Sequence, residues 1–172
     1  MQMTDTIRQW LSGMAVFKDQ WSLLNIFGPI GDRYSSQSHT SAGLAISSGG
    51  AATAKTGSTA WVGTANGIPV SVAASTTMPA LSGSITATYF NVFCFFIDSA
   101  SVATSAMGTE GATLAAVKFP AFPEGKALIG YLVVTYASTF VGGTTPLDTA
   151  TTIYVNTVGA ADPSVLVGAT NF

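Results

Sequence analysis

Between Thr56 and Ile97 the chain carries no formally charged side chain. A free monomer in water normally keeps charge on its surface. A neutral stretch of this length is either hydrated through Ser and Thr hydroxyls or covered by something else, and partner subunits are the simplest cover. The same economy runs through the whole chain, in which 8% of the 172 residues are charged against about 25% in an average soluble domain. Apolar residues are plentiful, yet no stretch approaches the roughly 20 needed for a membrane-spanning helix. The longest apolar run, Val92 to Ile97, has the length of a strand. Short apolar segments therefore alternate with Ala, Thr, Ser and Gly. Thr favours strands, and Gly and Ser favour turns. The chain is long enough for one domain with a substantial core, or for a domain plus an arm.

The first segment departs from this pattern. Ile7, Trp10, Leu11, Met14, Phe17, Trp21 and Leu24 recur at three- and four-residue spacing, which predicts an amphipathic helix. Thr4 or Asp5 can cap its start, and Gly28-Pro29 ends it. Its stripe packs either on the chain's own β domain or on neighbouring subunits. A membrane-surface role would want a Lys/Arg-rich polar face that is missing here. Trp10, Leu11, Met14, Phe17, Trp21 and Leu24 are the candidate partner-binding residues. Ser35-Ser36-Gln37-Ser38 and Ser47-Ser48-Gly49-Gly50 read as flexible. Residues 35–58 are accordingly expected to be an extended arm, with a short strand near Leu44 and Ile46, ordered only when lying on a partner. This divides the chain into a 1–58 anchor and a 59–172 β domain.

From Thr59 the pattern is that of strands. Ala60-Trp61-Val62 begins one, and Asn66-Gly67 is a tight-turn pair leading into Ile68 to Val72. Pro69 places that second strand at a sheet edge or makes it a strand start. Ile85 to Asp98 has a continuous apolar centre, the mark of burial on both faces. Ser99-Ala100-Ser101 turns the chain back into Val102 to Met107. A strand is expected over Thr113 to Phe119, then a break at Pro120 to Gly125, then a second continuous apolar strand from Ala127 to Tyr136. Gly130 inside it marks a bulge or a close backbone approach. Gly142-Gly143 supplies positive φ to a loop that Asp148 can cap. Thr151 to Val158 alternates, with Ile153 and Val155 on one side. The expected fold is mainly β: an antiparallel β-sandwich or barrel-like domain with an N-terminal amphipathic helix and an extended arm.

Little here resembles catalytic or ligating machinery. His39, the single histidine, lies in the Ser-rich segment without an orienting partner. Cys94, the single cysteine, sits among Phe93, Phe95 and Phe96 and reads as a buried thiol. There is no zinc spacing and no phosphate loop, because Gly49-Gly50 and Gly142-Gly143 lack a Lys-Ser/Thr continuation. Asp98, Glu110, Glu124, Asp148 and Asp162 leave a glycosidase pair open, though few of the eight acids cluster. Six scattered basic residues and a net charge of −2 give no footprint for nucleic acid. The expectation is a non-enzyme with no cofactor and no metal. Met1 to Asp5 lacks the start of a signal peptide.

The half of the chain from about residue 80 to 158 adds a resemblance. It contains Pro120-x-x-Pro123-x-Gly125, then Ile129-Gly130-x-x-x-Val134. Phe140-x-x-Gly143-Thr144-Thr145-x-Leu147-Asp148 and Thr152-x-Tyr154-x-Asn156 follow. This succession resembles a segment of tailed-bacteriophage virion proteins: head decoration (cement) proteins, head fibres, and parts of tail fibres and spikes. The resemblance implies a β-rich homo-oligomer, often a trimer. It implies a place in the virion; the shortness of the chain and the helix and arm of residues 1–58 favour the capsid surface over a fibre, and the missing signal-peptide start points to the host cytoplasm before assembly. The expected partners are further copies of the chain and the major capsid protein, with neither nucleic acid nor membrane. A fibre or spike subunit binding host glycan, with Tyr34 and Tyr136 as the arguable aromatic contacts, is the alternative. A membrane β-barrel is the third reading; low charge and alternation permit it, and the N-terminal helix counts against it.

Overall fold

The computed structural model describes residues 35–160. The predicted helix, with Trp10, Leu11, Met14, Phe17, Trp21 and Leu24, lies outside the described residues, as does the tail beyond 160.

In chain order the strands are β1 (Gln37–Ser38), β2 (Ala45–Ile46), β3 (Ala54–Lys55), β4 (Trp61–Ala65), β5 (Ile68–Val72) and β6 (Ser84–Ile85). They continue with β7 (Phe90–Ile97), β8 (Ala103–Met107), β9 (Ala127–Thr135), β10 (Phe140–Val141), β11 (Thr151–Asn156) and β12 (Gly159–Ala160). All pairings between them are antiparallel. Two four-stranded sheets result, in the orders β12-β1-β4-β5 and β11-β9-β7-β8, with two short ladders, β10-β6 and β2-β3. Among the described residues both larger sheets are open at their ends, so the mainly β expectation resolves there into a sandwich rather than a closed barrel.

The two sheets share one core. Trp61, Ala65, Val70 and Val72 enter it from the first sheet, and Phe93, Phe95, Ile97, Leu132 and Val134 from the second. The opposite face of β7 and β9 carries Val92, Cys94, Phe96, Leu128, Tyr131 and Val133, and these build a separate cluster with Val117. Leu114, Phe119 and Phe122 close over it. This is why both strands read as uninterrupted apolar runs: each is buried on both faces.

Thr113 to Phe119 forms no ladder strand, contrary to expectation. Leu114–Ala116 is a 3-10 turn, and within the segment Lys118 makes an isolated bridge to Thr109. The apolar residues of this segment are spent on covering β7 and β9. Phe122 meets Phe96 edge-on at 5.2 Å, and Phe119 meets Tyr131 at 5.0 Å, both favourable quadrupolar arrangements.

Residues 35–58 also differ from the arm expected of them. β1 is hydrogen-bonded into the first sheet between β4 and β12, and Ala42, Leu44 and Ala54 are buried in the main core. Their ordering entropy is offset inside the chain's own domain rather than by a partner. The physical link is a bulge in β9. Phe95 pairs with Gly130 and Phe96 with Leu128, leaving Ile129 as an extra residue. A bulge takes groups off the ladder. The Leu128 carbonyl instead accepts hydrogen bonds from the hydroxyls of Ser38 (2.6 Å) and Thr157 (2.8 Å). Ser38 Oγ in turn accepts from the Trp61 indole N–H at 3.2 Å. A serine in an apparently flexible stretch is thus a buried connector between the two sheets.

Other local expectations hold. Asn66 and Gly67 both take positive φ, 51° and 74°, and close the two-residue hairpin between Ala65 and Ile68. β5, with Pro69, is an edge strand. The Asp98 carboxylate accepts from the amides of Ala100 and Val102, which closes the turn between β7 and β8. Gly143 supplies positive φ, at 70°, while Gly142 does not. Asp148 caps a different loop from the one expected: its carboxylate accepts from the amide of Gly50 at 2.7 Å.

Candidate functional site

Among the described residues, side chains able to do chemistry are dispersed through the fold. Burial holds the Cys94 thiol far above its ordinary value, so it stays protonated and unreactive. His39 is exposed, with its backbone amide donating to the Val62 carbonyl. Asp98 and Asp148 cap loops. Glu110 accepts from the Thr86 hydroxyl and amide, each at 2.7 Å; these two bonds, the hydroxyl first, lower its carboxyl below the usual value. No group of three or more His, Cys, Asp or Glu among the described residues is placed to hold a metal ion. Asp162 lies outside the described residues. No helix among the described residues is long and apolar enough to cross a membrane.

The surface of the described residues carries features of another kind. The first is the β4–β5 hairpin, which belongs to the charge-free stretch and leaves Val62 41% and Ile68 49% exposed. Alternation explains Val62: Trp61, Gly63 and Ala65 turn toward the core side, so Val62 and Thr64 face outward. Val141 and Ile153 are further exposed apolar residues. The free edges of the larger sheets are neutral as well: Ile-Pro-Val-Ser-Val in β5, Ala-Thr-Ser-Ala-Met in β8, and Thr-Thr-Ile-Tyr-Val-Asn in β11. Edge strands of free monomers are commonly blunted by charge. Here only β5 carries a comparable device, its proline.

The second is a shallow depression of roughly 320 Å³ where β7 begins, β9 ends and β11 begins. Thr88, Thr135, Tyr136, Ala137, Thr149 and Thr151 line it. Three chain segments converge there, tied by the Thr88 amide donating to the Tyr136 carbonyl at 2.7 Å and by pairing of Thr135 with Thr151. Of these residues the sequence marked only Tyr136. The threonines are far apart in the chain, and nothing in their local pattern announces that they meet. Tyr34, the other aromatic singled out, lies outside the described residues.

Compared with known proteins, the chain matches no protein-family model, no curated protein and no solved structure.

Proposed function

We propose that the chain is a structural component of a tailed-phage virion, a capsid decoration (cement) protein. It binds the outer surface of the major capsid protein shell as a homotrimer and stabilises it. The observation that carries this reading is the neutral, partly apolar surface around β4 and β5, joined to sheet edges without charge. Such a surface gains from being covered. Each Å² of apolar area removed from water contributes about 25 cal/mol, and repetition over a shell multiplies a modest contact. The order of motifs from Pro120 to Asn156 supports the virion setting. Trp10, Leu11, Met14, Phe17, Trp21 and Leu24 supply the anchor onto neighbouring subunits in this reading.

Quantifying the chain in purified particles tests it. A copy number comparable to that of the major capsid protein is expected. A handful of copies per particle sinks the decoration reading and favours a fibre or spike.

A further inference from the structure

We propose that Thr64 and Gln37 form an intramolecular ester bond that ties β1 to β4. This goes beyond a role in shell assembly and does not depend on it.

The starting observation is an orphaned hydroxyl. Among the described residues, Thr64 Oγ1 is the buried side-chain oxygen or nitrogen left without a hydrogen bond. Burial removes a hydroxyl from water, so buried hydroxyls are ordinarily paired within the protein. Those of Ser38 and Thr157 are, both donating to the Leu128 carbonyl. The Thr64 oxygen has no such commitment, and its lone pairs are available to attack a carbon.

The sheet sets an electrophile across from it. Gln37 is the direct antiparallel partner of Thr64, and residues directly opposite share a face. Trp61 and Ser38 turn inward, which leaves Gln37, Val62 and Thr64 on the outer face. The Cβ atoms of such a pair lie about 4.5–5.5 Å apart. The path from glutamine Cβ through Cγ and Cδ, closed by the threonine oxygen, has that reach. On the other side Thr64 faces Pro69, whose side chain offers no polar group.

The reaction balances without an oxidant or cofactor. Thr64 Oγ1 attacks the Gln37 carboxamide carbon. The new C–O bond replaces the C–Nε2 bond, and the hydroxyl proton departs with the nitrogen as ammonia. Ammonia is protonated in neutral water, which draws the exchange forward. Placement on neighbouring strands substitutes proximity for encounter, and the shielding of Oγ1 keeps water from hydrolysing the product. His39 carries the proton. Its amide extends the ladder to the Val62 carbonyl at 2.9 Å, which sets it diagonally across from Thr64, within the range of a long or aromatic side chain. The bond has a structural use: β1 contributes two residues to the ladder yet sits between β4 and β12, and an ester would hold it there.

The test is mass spectrometry of the full chain after prolonged incubation at neutral pH. An intact mass below that of the sequence by one ammonia is expected. Trypsin cuts after Arg33, Lys55 and Lys118, which puts Gln37 in the 34–55 peptide and Thr64 in the 56–118 peptide. These two are expected as one linked species that mild alkali separates. Thr64→Val, which keeps the shape, and Gln37→Ala should abolish the link. Thr64→Ser should retain it, and His39→Ala should slow its formation about a hundredfold. An intact mass equal to that of the sequence overturns the proposal. So does a link that persists in Thr64→Val, or ammonia loss confined to an unlinked 56–118 peptide, the sign of a succinimide at Asn66-Gly67. Linking at full rate in His39→Ala overturns the part given to His39.

Discussion

Gly130 shows how much one position can decide. A Cβ there would lie 2.6 Å from the Val155 carbonyl oxygen and 2.7 Å from Leu44 Cδ1, so a side chain would collide with a strand on one side and the core on the other. Gly130→Ala is expected to destabilise the domain by about 1–3 kcal/mol, the usual range for overpacking, read as a lower midpoint in urea unfolding. Cys94 gives a pH signature. Its thiol is raised by burial, and Tyr131 beside it is raised by burial first and by Cys94 second. A group that holds its proton more tightly when folded contributes fully below its unfolded pKa, about 8.5 for a thiol. That contribution falls as pH rises further, because the unfolded chain ionises and the folded one does not. Stability should therefore decline above about pH 8.5, by roughly 1.4 kcal/mol per pH unit for the thiol. Cys94→Ala should flatten the decline between about pH 8.5 and 10, before tyrosine ionises. An unchanged slope in that variant would remove Cys94 as its cause.

At the scale of elements, the segment from Leu114 to Phe122 behaves as a cover rather than a strand. Its hold on β7 and β9 comes from side chains, above all Phe119 and Phe122. Its local backbone bonds are those of a turn and one bridge. Phe122→Ala is expected to cost about 1–3 kcal/mol, less than a fully buried phenylalanine because Phe122 is half-buried. It should also speed labelling of Cys94 by a thiol reagent under native conditions, since the thiol lies in the cluster beneath this cover. A labelling rate that follows only global unfolding would show that the cover and the sheet open together. The two long strands were legible in sequence because burial on both faces leaves an uninterrupted apolar run. The cover was misread because a segment lying across a sheet presents as many apolar residues as a strand within it.

At the scale of the whole molecule, the proposed homotrimer would associate through a surface with few charges and several neutral edges. Contacts made by such surfaces rest on apolar burial and backbone pairing rather than ion pairs. Self-association measured by sedimentation velocity should therefore change little between low and high sodium chloride, because screening acts on charges. It should strengthen in sulfate, which favours burial. Dissociation on raising sodium chloride would assign the contact to the few charged side chains instead.

What the sequence determined by itself was the class of fold: alternation, two doubly buried strands, the Asn66-Gly67 hairpin, the edge position implied by Pro69 and the irregularity at Gly130. Each is encoded locally, in a dihedral preference or in a period of two. Tertiary structure alone decided that residues 35–58 belong to the sandwich, because the value of Ser38 and Leu44 depends on a bulge some 90 residues away. It alone brought Thr88, Thr135, Thr149 and Thr151 to one depression with Tyr136. Threonine carries no pattern of its own, and residues separated by dozens of positions become neighbours only when the ends of β9 and β11 and the start of β7 are brought to one place.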